Sequence, residues 1–370
     1  MKMYCPKCGV QNNDGAKFCG SCGEKLNAPA GANAAVRAGA VNAAGGAQAA
    51  APVVTTTATG GVTTGDGSTA AAAKKTGRLI GIAFAVVLVV AAVIVFFATG
   101  GFGLMGPKHE VKGSVNDYSW SELAAISEEI AGTASEDAAV ELAKAYNLTT
   151  EEGKLDGTQA KDVELRDGTI TQVQIAGFRH DDKTDGGKAG ITFIFTDIIA
   201  RDFMNSSYTN VGGWKDSAMR SYLASSVMAM LPSDLSSEIV SVEKMTNNVG
   251  ETDDASSVTA TSDKLWLYSF RELSGGYPES RYSEYPDASG YYDVCNAEGS
   301  EYKLFRDMDV DSDGSKHILV KMIDGTSCYW WERSPIPFLL DDFAGVGAGG
   351  YPGYGNDAGY ENSVVPGFCI

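Results

Sequence analysis

Histidine is almost missing from this 370-residue chain: there are three, His109, His180 and His317, and none is spaced as a metal ligand. No nucleophile elbow occurs, and Ser241-x-x-Lys244 is a match of chance frequency. No catalytic constellation can be read from the residues, so the expectation is a protein that is not an enzyme. Positive charge is scarce as well. Twenty-nine Lys and Arg face 47 Asp and Glu, a net charge of −18. The deficit is one-sided. Up to Arg78, eight cations stand against three acids, a balance of +5, so everything after Arg78 carries −23. A domain that acidic repels nucleic acid and anionic lipid headgroups. It suits cationic partners or metal ions, or serves solubility.

Residues 79–98 lack charge of either sign, and these 20 consecutive positions are largely apolar. At about 1.5 Å per residue they span roughly 30 Å, the thickness of a bilayer hydrocarbon core. The sequence therefore predicts one transmembrane helix over 78–99. Lys74, Lys75 and Arg78 precede it, and the next cations are Lys108 and Lys112. The denser cluster stays inside, so the N-terminus is expected in the cytoplasm and the C-terminal part outside the cell membrane. Gly77, Gly81 and Ala85 share a small-residue face on which two copies could pair as a homodimer.

Residues 28–77 lack apolar periodicity. Ala, Gly and Thr at this density bury too little surface to offset chain entropy, so a disordered linker is expected. A flexible chain of this length reaches roughly 35–40 Å. Pro29, Pro52, the glycines and a Val-Val-Thr-Thr-Thr run argue against a continuous helix.

Cysteine is sparse but clustered. Of seven, Cys5, Cys8, Cys19 and Cys22 sit within residues 1–27, in the pattern Cys-x2-Cys-x10-Cys-x2-Cys. Each pair sets two thiolates on one tight turn, and Gly9 and Gly23 follow without a Cβ. Four thiolates complete a tetrahedral site with no open position, so one structural zinc ion is expected. A redox pair is the rival reading, although nothing nearby suggests a βαβ unit. Cys295, Cys328 and Cys369 are scattered, which allows at most one disulfide among them.

From residue 115 the chain has globular patterning, after a spacer over 100–114. Ser119-Trp120-Ser121-Glu122 is a capping box opening a helix. A second helix is expected over 135–147, and a hairpin over 162–176 turning at Asp167-Gly168. Residues 191–199 are β-rich. Met219, Leu223, Val227 and Met230 recur at helical spacing within 213–230. Further strands are expected at 239–245, 264–269, 301–305, 317–323 and 327–332. The fold class over 115–370 is α+β.

Three segments hold candidate contacts. Asp309, Asp311 and Asp313 match the first half of a calcium loop, but Val320 stands where the bidentate Glu would be. A looser calcium site and an acidic turn are both open. In Trp330-Trp331-Glu332-Arg333-Ser334-Pro335, alternation along a strand predicts one indole in the core and one partly exposed. Arg333 would stack on an indole, pair with a buried acid, or join Trp330 in touching a ligand. Residues 343–362 bring Tyr351, Tyr354 and seven glycines together, an adaptable contact surface or a non-functional loop. Gly345-x-Gly347-x-x-Gly350 has no helix pattern after it and is no dinucleotide site.

Residues 3–26, with knuckles Cys5-Pro-Lys-Cys8-Gly9 and Cys19-Gly-Ser-Cys22-Gly23, resemble the short zinc ribbon at the N-terminus of many bacterial membrane proteins. The resemblance implies zinc. Four lysines against two acids and a four-thiolate centre sum to near zero, so no nucleic-acid partner is expected. Residues 165–370, through Trp214-x-x-Ser217-x-x-Arg220, Asp263-Lys264-Leu265-Trp266, the Trp-Trp-x-Arg-Ser-Pro box and the final Val365-Pro366-Gly367-Phe368, resemble a bacterial extracytoplasmic domain family of unknown function. Glu332 departs from the apolar residue usual in that box. The layout is similar to C-type-lectin-like folds, which implies a fold and no catalytic residues. The resulting expectation is a membrane-anchored surface protein binding an extracellular ligand or protein. The alternatives are an extracytoplasmic enzyme acting on envelope or glycan material, or a transmembrane signal relay.

Overall fold

A computed structural model describes residues 107–276, 289–311 and 316–370, together with two short strands near the N-terminus. Those strands, β1 (Met3–Tyr4) and β2 (Gln11–Asn12), pair antiparallel and bracket the first cysteine knuckle. The four cysteines, the 28–77 linker and the 78–99 span lie outside the described residues. Among the described residues, no helix is long and apolar enough to cross a membrane.

Helix α1 (Trp120–Ala131) opens on the expected capping box. Ser119 Oγ accepts from the Glu122 amide at 3.3 Å, and the Glu122 carboxylate accepts from the Ser119 amide at 2.7 Å. Trp120, Leu123, Ile126 and Ile130 are buried along one face. Helix α2 (Glu136–Ala145) is capped by Ser135 and ends two residues short of the expected boundary. Next come β3 (Ala160–Glu164) and β4 (Ile170–Phe178), the expected hairpin. Its turn places Gly168 at φ +87°, a conformation that costs glycine little.

Strand β5 (Ile191–Phe195) is wholly buried, and the β-rich run then breaks to give β6 (Ala200–Asp202) in a different sheet. Helix α3 (Ala218–Tyr222), capped by Ser217, passes through a π-helical turn (Leu223–Val227) into a last turn (Met228–Met230). Met219, Leu223 and Val227 face the core as their spacing predicts, while Met230 is only partly buried. The helix starts five residues later than expected, because Gly213 must pass close to a neighbouring strand. A Cβ on Gly213 would meet the Asn247 carbonyl oxygen at 2.0 Å.

The remaining elements are β7 (Val242–Asn247), β8 (Val258–Asp263), α4 (Phe270–Ser274), α5 (Ser289–Asn296) and α6 (Lys303–Asp307), followed by seven short strands. These are β9 (Lys321–Ile323), β10 (Thr326–Cys328), β11 (Trp330–Pro335), β12 (Asp342–Val346), β13 (Tyr354–Asp357), β14 (Asn362–Val364) and β15 (Gly367–Cys369). Of the strand expected over 317–323 only Lys321–Ile323 forms, because His317–Leu319 is a 3-10 turn, and two further strand expectations are corrected outright. Residues 264–269 form a buried irregular run, in which only Trp266 makes a bridge, to Gly367. Residues 301–305 lie mostly in helix α6. Residues 265–268 are a short apolar run, while Glu301-Tyr302-Lys303-Leu304 alternates polar with apolar, and over so few positions periodicity cannot separate strand from buried turn or helix.

A four-stranded antiparallel sheet has the order β15-β5-β4-β3. A five-stranded mixed sheet has the order β13-β12-β11-β14-β6, with β11 and β14 parallel. One continuous apolar core runs from Val115 to Ile370. In it Phe193 stacks on Phe368 at 5.3 Å between ring centres, and Trp120 meets Phe193 edge-on at 5.6 Å. The domain is therefore a mixed α/β unit, with β11 at the centre of the larger sheet.

Candidate functional site

Strand β11 is buried at all six positions. Both indoles of its Trp-Trp pair are enclosed, which corrects the expectation of one partly exposed ring. Trp330 donates to the Leu319 carbonyl at 2.9 Å and Trp331 to that of Asp202 at 3.0 Å. The sheet is covered on both faces here, so alternation along the strand no longer separates inside from outside.

Arg333 is likewise fully buried and meets no solvent. Its guanidinium forks onto Glu272, with Nη2 to Oε1 at 3.0 Å and Nη1 to Oε2. The remaining donors reach Thr246 Oγ1 at 2.7 Å, the Leu267 carbonyl at 2.8 Å and the Met245 carbonyl at 3.1 Å. Of the sequence alternatives, pairing with a buried acid is the arrangement observed. Glu272 is held by local chemistry: with Ser269 it forms the capping box of α4. Ser269-x-x-Glu272 has the spacing of a capping box, a signal legible in the sequence.

Glu272 also receives Lys244 Nζ at 2.5 Å, and Lys244 reaches Asp181 at 2.8 Å and the Tyr302 hydroxyl at 2.9 Å. Its ammonium lies 4.6 Å from the centre of the Trp266 ring. Asp181 accepts from Tyr302 at 2.6 Å and from Thr192 at 2.7 Å. Burial alone would raise the pKa values of Asp181 and Glu272. The cations beside them outweigh burial and hold both carboxyls below the usual range, Lys244 acting on Asp181, and Arg333 with Lys244 on Glu272. Two anions and two cations thus cancel in the interior. Nothing in the sequence pattern joins Asp181 and Lys244 to the Arg333 box, because the four come from separate segments.

A fifth group, Glu298, is 1% exposed and has no cation to itself. It accepts from the Asn247 amide at 2.8 Å and from Ser334 Oγ. Burial pushes its carboxyl from about 4.5 up to about 7, against the pull of Ser334 and Arg333. Between those two pH values the native state keeps a proton that the unfolded chain has released. Stability therefore falls as pH rises toward 7, by about 3 kcal/mol in all. Glu298→Gln should erase this slope. Its Tm at pH 8 should exceed that of the parent by about 5 °C, with little difference at pH 4.5. A calorimetric series in which both proteins show the same pH dependence would refute the assignment.

The other motif residues form a clip. Asp263 receives Trp214 Nε1 at 3.1 Å and Arg220 Nε at 2.6 Å, tying α3 to β8. Tyr354 packs edge-on against both Tyr329 and Tyr351, at 6.3 and 6.5 Å, and all three rings are half-buried. Tyr351 and Tyr354 are thus brought together, next to Tyr329, which directly precedes Trp330. Asp309 adopts φ +52°, Asp311 lies 3.4 Å from Lys316 Nζ, and Asp313 is outside the described residues. Cys295, Cys328 and Cys369 are all unpaired, so the large domain forms no disulfide among them. Burial drives the thiols of Cys295 and Cys369 well above their ordinary pKa.

Two surface grooves accompany these features. One of about 680 Å³ runs between Trp120, Lys161, Arg166 and Asp234, and one of about 290 Å³ between Arg220, Met228 and Lys264. None of Asp181, Lys244, Glu272, Glu298 or Arg333 lines either groove.

Residues 4–26 match the zinc-ribbon domain family, and residues 189–368 match DUF6273, a domain of unknown function. The chain thus carries a zinc ribbon followed by a DUF6273 domain. No curated protein and no solved structure matches it. The DUF6273 match begins after β4, although α1, α2, β3 and β4 contribute to the same apolar core. The folding unit is larger than the matched segment.

Proposed function

We propose that this chain is a single-pass membrane protein that holds a non-catalytic binding domain outside the cell, with a structural zinc ribbon in the cytoplasm. One observation carries the binding reading. The strongest charged groups of the domain satisfy one another in its interior, and the two grooves are lined by other residues. Catalysis needs titratable groups converging where a substrate can reach them. Here Asp181, Lys244, Glu272 and Arg333 are consumed in joining β7, α4 and β11, and the larger groove, which gathers Lys161, Asp162, Glu164, Arg166 and Asp234, is read as a recognition surface. The membrane reading rests on residues 79–98, 20 positions without charge, and on the basic cluster before them. A lectin-like layout belongs to the same proposal and rests on the closing Trp-Trp-x-Arg-Ser-Pro box alone.

Topology is the direct test. Full-length protein carrying a different epitope at each end would be expressed in a bacterium with a permeabilised outer envelope. Externally added protease should remove the C-terminal epitope and spare the N-terminal one. An N-terminal epitope digested from outside, or a C-terminal one protected, would reverse or abolish the proposed arrangement.

A further inference from the structure

The last strand of a sheet carries backbone donors and acceptors that no neighbour takes, and proteins usually cover them. Strand β3 ends the four-stranded sheet β15-β5-β4-β3. Its bonds to β4 fall on alternate residues: the Leu165 amide donates to the Thr169 carbonyl, and the Ile175 amide to that of Gln159. Odd-numbered residues thus turn their backbone toward β4, while Ala160, Asp162, Glu164 and Arg166 turn theirs outward. Three of those four amides are covered. That of Ala160 donates to the Thr158 carbonyl at 2.9 Å, that of Asp162 to Asn116 Oδ1 at 2.8 Å, and that of Arg166 to the Met230 carbonyl at 2.9 Å. The Glu164 amide and the Asp162 carbonyl have no partner among the described residues.

This open pair lies in the larger groove, whose volume of about 680 Å³ falls within the roughly 300–1,000 Å³ range of ligand sites. Trp120 lines it from α1, and Pro232 from the segment after α3. Its cations are already engaged. Lys161 Nζ donates to the Tyr118 carbonyl at 2.5 Å and to that of Asn116 at 3.3 Å, and Arg166 Nε to that of Leu231 at 2.7 Å. Asp162 is engaged too, its carboxylate accepting from Asn116 at 3.2 Å and Gln172 at 2.7 Å. Glu164 is exposed and forms no ion pair with any described residue.

We propose that the open stretch of the β3 edge, at Asp162–Glu164, binds an extended polypeptide segment that adds to the sheet as an outer strand and carries Lys or Arg beside Glu164. An amide and a carbonyl flanking one residue, here Val163, match the carbonyl and amide of one residue on an incoming parallel strand. That residue projects to the Val163 side, between Trp120 and Pro232, and suits an apolar side chain. The next projects beside Glu164, where a cation finds an unengaged carboxylate. Other occupants fit less well. A sugar stacks on an open aromatic face, but Trp120 is 4% exposed and the Lys161 ammonium stands 5.2 Å from its ring centre. A second copy paired edge to edge would set Glu164 against Glu164 across a two-fold axis, and like charges directly opposite repel. This inference names a partner for the groove in the binding reading above and rests on that reading.

The test uses the full chain in nanodiscs of zwitterionic lipid, with empty discs as blank. The probe is a fluorescent peptide of about eight residues alternating Thr with Val, with Lys after the central Val. One control is N-methylated at that Val, which removes the amide that would donate to Asp162, and another carries Glu for Lys. The probe should bind in the micromolar range, at least about tenfold tighter than either control. Glu164→Pro removes the open amide at a position where an edge strand tolerates proline, and should cost at least about tenfold in affinity. Glu164→Gln keeps the amide, and should weaken the probe and flatten its salt dependence. Leu340→Ser, exposed and outside the groove, should change nothing. Melting temperatures show that the variants fold, and the N-methylated control needs no variant at all. Equal binding of the N-methylated peptide would overturn the proposal. So would parent affinity in a folded Glu164→Pro variant, no binding of the probe up to millimolar concentration, or self-association of the chain that Glu164→Pro abolishes. The binding-domain reading would survive each of those results, whereas a reversed topology would remove it whatever the peptide does.

Discussion

Arg333→Met should cost the large domain about 4 kcal/mol, enough to lower its melting temperature by roughly 10 °C. The side chain is fully buried and fills its place with hydrogen bonds to Glu272, Thr246 and the carbonyls of Leu267 and Met245. Taking out one cation leaves Asp181 and Glu272 facing Lys244 alone, an uncompensated buried negative charge. Adding Glu272→Met to that variant restores the balance of one anion and one cation, so the double variant should recover a large part of the loss. Arg333→Lys should fall between the parent and the single Met variant, because an ammonium cannot reach all five acceptors. Denaturant melts of the four proteins decide the matter. An Arg333→Met variant within about 1 kcal/mol of the parent, or a double variant worse than the single, would show that the cluster is not coupled in this way.

The second large effect concerns the ribbon. Residues 4–26 match a zinc-ribbon family, and a module this short has too little apolar surface to fold unaided. Zinc bound to such a ribbon would supply its folding free energy, on the order of 10 kcal/mol. Cys8→Ser, or a strong chelator applied to the full chain, should therefore unfold residues 4–26 completely. The large domain should melt unchanged, because its described core is built from residues 115–370. Purified protein should release one zinc ion per chain when its thiols are modified, as read by a colorimetric indicator. Metal content near zero in protein purified without chelator would favour the redox-pair reading of the four cysteines.

Much of the domain was legible because local chemistry and packing agree there. Ser119 and Glu122 formed the capping box their spacing announces, and Asp167-Gly168 turned the hairpin. Met219, Leu223 and Val227 faced the core at helical spacing. Residues 264–269 and 301–305 misled, since a pattern of five or six residues looks alike in a strand, a helix or a buried turn. The charge cluster was legible only in part. Arg333 was singled out, and one of its readings was a buried acid. Glu272 carried a capping signal of its own. Asp181 and Lys244 had none, because what makes them matter is a meeting of β7, α4, β11 and the loop before β5. The open stretch of the β3 edge was invisible for the same reason: Asn116 and Met230, which cover the amides on either side of it, are distant in the sequence.

The arrangement of the four-stranded sheet also bears on how the protein is made. Strand β5 needs β15 beside it, and the bond between Thr192 and Cys369 joins residues 177 positions apart. β15 in turn bridges to Trp266 and Val240. A ribosome delivering this chain has therefore produced most of the domain before its core can close. Until then Phe193 and Trp120 lack the ring of Phe368 against which they pack. Such a chain closes its core late, once β15 is available to pair with β5.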